Sequence, residues 1–141
     1  MRFKITTDYA IRIILYMAQR DNAILGVAGA VEELGMTSGY FNKVAGKLKR
    51  AGFLESFQGP GGGYRLAKKA EDIKLYDIVT LMEGDIAINR CLKKDGFCSR
   101  DATPMCPVHQ VFESIQSQMI DMLRSISIGD LCTKAQPEKT K

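Results

Sequence analysis

Apolar side chains recur along this chain with a helical period, broken by glycine and polar residues at intervals that predict separate elements. Ala10, Ile13, Ile14 and Met17 fall at i, i+3, i+4 and i+7, which predicts a helix over about 7–20. Thr6 or Thr7 is its expected cap, and Asp8 in its first turn is favoured by the helix dipole by about 0.3–1 kcal/mol. After a polar break over 22–26, Val27, Ala30, Val31 and Leu34 mark a second, short helix that stops at Gly35. Thr37 or Ser38 then caps a third, whose inward stripe is Phe41, Val44 and Leu48 and whose end is closed by Gly52 in the C′ position. Two short helices joined by a tight glycine-containing turn, the second of them basic, form a helix-turn-helix pattern.

Two short segments, Phe53–Phe57 and Tyr64–Ala67, flank Gln58-Gly59-Pro60-Gly61-Gly62-Gly63, which predicts a β-hairpin. The glycine run lacks the Gly-Lys-Ser/Thr ending of a phosphate loop and no helix start follows it, so it is expected to be a wing beside the helix-turn-helix rather than a nucleotide site. A further helix is expected over Ile73–Glu83, ended by Gly84. From Pro107, well placed as a first helical residue, the spacing tightens to a strict a/d repeat: Val108, Phe112, Ile115, Met119, Met122 and Ile126. Val111, Ile120 and Leu123 widen that stripe, so these residues are the expected homodimer interface. Ser127–Leu131 can start a short final turn. The expected fold is mainly α with a small β wing: a winged helix-turn-helix over 1–85, a cysteine-rich loop over 86–106, a dimerisation helix and short end over 107–131, and a polar tail over 132–141.

Charge sharpens the picture. Between 36 and 70 seven basic side chains face one acid, Glu55, so this segment carries +6 while the whole chain carries +4. A basic segment on a slightly acidic body fits a partner such as double-stranded DNA. Burying Phe41, Val44 and Leu48 leaves Ser38, Gly39, Asn42, Lys43 and Gly46 facing outward. The expected contacts are Thr37, Ser38, Gly39, Tyr40, Asn42, Lys43, Lys47 and Arg50 from the third helix, and Gln58, Gly59, Pro60 and Gly61 from the wing. Asn42 can pair bidentately with adenine, and Lys43 and Lys47 can reach guanine or phosphate. Gly46 costs about 1 kcal/mol relative to alanine inside a helix. No apolar run approaches the ~20 residues that span a bilayer, and the N-terminus lacks a signal-peptide pattern, so a cytoplasmic protein without a membrane partner is expected. No nucleophile–base constellation or cofactor loop suggests an enzyme or a small-molecule substrate.

The remaining chemistry is concentrated in nineteen positions, 91–109, which hold Cys91, Cys98, Cys106 and the chain's one histidine, His109. Six, seven and two residues separate these four. Cysteines in a cytosolic chain are thiols or metal ligands more often than disulfides. Thiolates suit zinc, copper(I) and iron–sulfur clusters. Structural zinc favours tight knuckles, and wide, loop-borne spacing suits a cluster gripped from several sides. Cluster, zinc and reduced thiols all stay open on spacing alone. Cys132 stands apart and fits a small buried hydrophobe.

Taken together, the T-D-Y-A-I-R start, the S-G-Y-F-N-K-V-A-G-K-L-K-R-A-G-F-L helix, the G-P-G-G-G-Y-R-L wing, the three spaced cysteines, the long helix and the closing S-I-G-D-L resemble the Rrf-two family of bacterial winged-helix regulators, the IscR, NsrR, CymR and RirA group. That resemblance spans about residues 1–131. It implies a homodimeric repressor or activator on a near-palindromic operator, with an iron–sulfur cluster held by three cysteines and a fourth ligand. In IscR-like members the ligand is a histidine matching His109, and the cluster is 2Fe–2S. In NsrR-like members it is an aspartate from the partner subunit matching Asp8, and the cluster is 4Fe–4S and reacts with nitric oxide. Asp8 is preferred here over His109, and 4Fe–4S over 2Fe–2S. The cysteine gaps are slightly longer than usual for the family and Gln58 replaces its common wing arginine, which bears on cluster type and operator sequence. A CymR-like alternative is a cluster-free regulator controlled by a protein partner or by thiol oxidation. An electron-transfer protein is the rival from another class.

Overall fold

A computed structural model describes residues 1–134. The chain forms α1 (Ile5–Ala18), α2 (Val27–Leu34), α3 (Ser38–Arg50), β1 (Leu54–Phe57), β2 (Gly63–Leu66), α4 (Leu75–Glu83), α5 (Pro107–Ser125) and α6 (Ile128–Lys134). The expected tail over 132–141 begins as the last turn of α6, and beyond Lys134 it lies outside the described residues.

The core is built by the stripes the pattern predicts. Ala10, Ile13, Ile14 and Met17 of α1 meet Phe41, Val44, Ala45 and Leu48 of α3, with Ala30 of α2 and Ile78 of α4, all essentially inaccessible to water. The turn between α2 and α3 works as its residues suggest. Gly35 takes the left-handed conformation at φ 64°, where a Cβ is strained, and the Thr37 hydroxyl accepts the Tyr40 backbone N–H at 3.2 Å as a true N-cap.

The start of α1 differs from expectation. The helix begins at Ile5, two residues earlier than predicted, and neither Thr6 nor Thr7 caps it. The Glu83 carboxylate, arriving from the end of α4, instead accepts the Lys4 backbone N–H and the Thr7 hydroxyl, both at 2.6 Å. A tertiary acceptor has replaced the local one, so Thr7 turns inward and is fully buried.

β1 and β2 pair antiparallel with Leu54 opposite Leu66 and Phe57 opposite Gly63. The stretch 22–26, a polar break in the pattern, supplies a third pairing: Leu25 and Tyr64 exchange both backbone hydrogen bonds, at 2.8 and 2.9 Å. That pairing accounts for part of the glycine run. A Cβ at Gly63 would collide with the Leu25 carbonyl, and one at Gly62 with that of Phe57.

α5 leaves this head and comes back to it. Its far end returns through a bridge between Lys74 and Ser127, in which Leu75 N–H donates to the Ile126 carbonyl at 2.9 Å and Ile128 N–H to that of Ile73 at 2.8 Å. Ile128 is then buried in the head core. Cys132, on α6, is half-buried, and desolvation, with the Glu71 charge adding to it, pushes its thiol up.

Candidate nucleic-acid interface and metal centre

On α3 the outward face holds Ser38, Gly39, Tyr40, Asn42, Lys43 and Arg50, all exposed together with Thr37, while Lys47 is half-buried. Among the described residues none of Lys43, Lys47, Lys49 or Arg50 takes part in an ion pair. Cations of that kind are available to phosphate. Gly46 meets nothing within the chain closer than the Arg50 guanidinium, 3.4 Å from where a Cβ would lie, so packing does not require a glycine there. Tyr40 stacks edge-on against Tyr9 of α1, ring centroids 5.6 Å apart, which ties the start of α3 to α1. Gln58, Gly59, Pro60 and Gly61 stand exposed at the wing tip. Behind them Arg65 is occupied by Glu55 across the hairpin at 3.1 Å and lies over the Phe57 ring. Of the basic residues counted in this segment, Arg65 is therefore committed to the wing itself.

The second site lies where the chain turns into α5. Cys91, Cys98, Cys106 and His109 line one hollow of about 250 Å³, joined by Asn89, Arg90, Phe97, Thr103 and Val108. His109, at the N-terminal turn of α5, has its Nδ1 3.0 Å from the Cys91 Sγ, and the Asn89 amide donates to the same sulfur at 3.6 Å. The Cys98 thiol is held below its ordinary value mainly by the backbone N–H of Ala102, then by that of Arg100. The loop keeps its shape through polar ties. Arg90 grips Asp95 through both carboxylate oxygens, at 2.5 and 2.6 Å, which holds that carboxyl well below the usual range, and the Thr103 hydroxyl donates to the Gly96 carbonyl at 2.8 Å.

Among the described residues no three His, Cys, Asp or Glu side chains close on one point as ligands of a single ion. Three thiols and an imidazole spread around a hollow are soft donors suited to a larger, polynuclear group. Asp8 is not part of this hollow in its own chain. It sits half-exposed on α1, paired with Arg12 at 2.7 Å.

The stripe expected on α5 divides between two faces. Phe112 and Met119 are half-buried, Met119 beside Val79 and Phe3, while Val108, Ile115 and Met122 are exposed together with Val111. Ile126 lies past the helix end, in extended backbone on the bridge to Leu75. No side chain of α5 is buried. Two residues to which the sequence assigned no role make long-range ties: Gln116, whose side-chain oxygen accepts Ile88 N–H at 2.9 Å at the start of the cysteine segment, and Glu83 at the end of α4, which holds the first turn of α1. Neither has a local signal, since each acts on a partner 28 or more positions away.

Known proteins share this architecture. The Rrf2 family model, described as iron-dependent transcriptional regulator, matches residues 3–134. A protein of Aquifex aeolicus, provisionally named an HTH-type transcriptional regulator, is 30% identical over 131 residues, covering 93% of this chain and 91% of that protein. Among solved structures, IscR of T. potens superposes with a TM-score of 0.78 at 21% identity, covering all of this chain and 93% of that one. CymR of B. subtilis, titled the global cysteine regulator of that organism, gives 0.75 at 18% identity, over 96% of this chain and 98% of the other. The structural likenesses establish the mainly α winged-helix fold with its small β wing, and the family match extends over almost all of the chain. This protein belongs to the Rrf2 family of transcriptional regulators.

Proposed function

We propose that the chain acts as a homodimer on a near-palindromic double-stranded DNA operator, and that an iron–sulfur cluster on Cys91, Cys98 and Cys106 sets how tightly it binds. The observation that carries this reading is the gathering of three thiols and the one histidine of the chain on a single hollow, at the root of the helix whose apolar face is left uncovered. In this reading 1–85 reads DNA, 86–106 senses, and 107–131 dimerises. Paired heads present Ser38–Arg50 to successive major grooves about 34 Å apart. Lysine and arginine contacts to phosphate supply most of the affinity, and Asn42, Lys43 and the wing supply selectivity.

When bound, the cluster supplies a redox-active and nitric-oxide-reactive centre. Everything else is done by this chain. Backbone amides of Ala102 and Arg100 stabilise the Cys98 thiolate before any metal arrives, and Asn89 and His109 hold Cys91. Within one chain the fourth ligand on offer is His109. From a partner it is Asp8, which would have to leave Arg12 to take that role. If one state of the loop binds operator tenfold better than the other, the coupling is only about 1.4 kcal/mol.

A native mass spectrum recorded under anaerobic conditions tests this. A dimer carrying two iron–sulfur clusters is expected, lost in the triple Cys91→Ser, Cys98→Ser, Cys106→Ser variant. His109→Ala and Asp8→Ala then identify the fourth ligand by which of them loses the cluster. Iron-free protein after reconstitution would overturn the reading in favour of a cluster-free regulator worked by its thiols.

A further inference from the structure

We propose that Glu83 is the joint through which the state of the cysteine loop reaches the DNA-reading head, its carboxylate holding the first turn of α1 to the last residue of α4, from which the chain runs into that loop. The inference rests on the reading above, in that it names the route of the control proposed there.

The geometry is specific. One oxygen, Oε1, takes both the Lys4 backbone N–H and the Thr7 hydroxyl at 2.6 Å, and Thr7 is fully buried. An α-helix leaves its first N–H groups without intrahelical partners. Here one of them is satisfied from 79 positions away, by a group on another helix. Immediately after Glu83 the backbone leaves α4 through Gly84 at φ 87°, a conformation glycine tolerates and other residues resist. Eight residues after Glu83 comes Cys91.

Between them the chain is loosely seated. Asp85, Ile86 and Ala87 line two hollows, of about 720 and 540 Å³, and Glu83 lines both. The polar tie at the far end of this stretch is Ile88 N–H to Gln116 of α5. The span from Glu83 to Ile88 is short and tied at each end, so a shift of the Cys91 segment that moves Ile88 pulls along the backbone on Glu83. At the other end of the joint, α1 packs directly on α3, with Tyr9 against Tyr40 at the start of the recognition helix. Movement of the α1 first turn is therefore felt where DNA is read.

The test uses the full-length dimer in cluster-loaded and cluster-free form, for wild type, Glu83→Ala, Glu83→Gln and Thr7→Val. Two quantities are measured: the ratio of operator Kd between the two forms, and amide hydrogen exchange of the α1 first turn, residues 5–9, in each form. Expected for Glu83→Ala and Thr7→Val are undiminished cluster content, a Kd ratio within twofold of one, and first-turn exchange that no longer differs between forms. Glu83→Gln, whose side-chain oxygen can still accept both bonds, keeps the wild-type ratio. A merely structural role would weaken binding equally in both forms and leave the ratio unchanged, and that result overturns the joint. If wild type itself shows a ratio of one, the proposed cluster control fails, and exchange decides the joint alone. A loaded-minus-free exchange difference that vanishes in Glu83→Ala upholds it, and no difference in wild type refutes it.

Discussion

The head of this molecule and the stretch from Glu83 to Ile126 obey different rules of construction. In the head, three stripes close on each other, and Phe41, Ile13, Ile14 and Leu48 lose all contact with water. Between 83 and 126 no residue is buried at all, although this stretch contains the longest helix of the chain. It is shaped by polar ties: Arg90 to Asp95, Thr103 to Gly96, Ile88 to Gln116, Cys91 to His109. A region held together like that has a low cost of rearrangement, because moving it exposes little apolar surface that was not exposed already. In the function proposed above, the uncovered helix face and the cup of thiols take the rest of their packing from a second copy and a bound group. The contrast teaches that the head is held by hydrophobic burial, and the stretch 83–126 by polar ties that bury little apolar surface.

Substitutions can break that contrast. The largest effect is expected in the head, where Phe41→Ala should cost about 3–5 kcal/mol of unfolding free energy in chemical denaturation. A cost below about 1 kcal/mol would show that the head is not a packed core. Ile115→Asp, at a position 50% exposed in the single chain, should leave head stability within about 0.5 kcal/mol of wild type yet weaken dimerisation by roughly 2 kcal/mol or more, about thirtyfold in Kd by sedimentation. Unchanged dimerisation would remove the exposed face of α5 from the interface.

On the outward face of α3, Asn42→Ala should relax discrimination at one base pair by about 1–3 kcal/mol, seen by binding a panel of single-base operator variants. Lys47→Ala should instead weaken all sequences alike and reduce the slope of log affinity against log salt by about 0.9. A Lys47→Ala protein with wild-type slope would deny it a phosphate contact.

The smallest effect is at the boundary of the two regions. The Thr7 hydroxyl first, then the Lys4 amide, hold the Glu83 carboxyl below its ordinary value. A carboxyl depressed in the folded state contributes stability that is fully present above its unfolded value and disappears as pH falls through the lowered folded one. The acid limb of the melting-temperature profile should therefore be shallower in Glu83→Gln than in wild type. Superimposable profiles would mean that this carboxylate is not bonded as described.

Most of the head was legible because its signals are local. The 3–4 spacing of Ala10 to Met17 and of Phe41 to Leu48, the stops at Gly35, Gly52 and Gly84, the Thr37 cap and Pro107 at the start of α5 each involve residues within a turn or two of one another, so periodicity and backbone preference are enough to place them. The basic outer face of α3 follows from the same spacing, since whatever is not buried on a helix must face out. The four candidate ligands were visible as residue types, but their sharing of one hollow was not, because six- and seven-residue gaps in a loop set no geometry.

What only the tertiary structure decided are the contacts made across long separations. Sequence pattern assigned α1 a threonine cap, and the fold supplied Glu83. It offered one broad stripe on α5, and packing against the head divided that stripe in two and drew Ile126 onto a backbone bridge with Leu75. It left 22–26 as a break, and Tyr64 made Leu25 a strand partner. The physical reason is the same in each case. An unsatisfied N–H, carbonyl or apolar face constrains the chain to find a partner but does not say which one, and the choice is made by whichever group the folded head brings within reach.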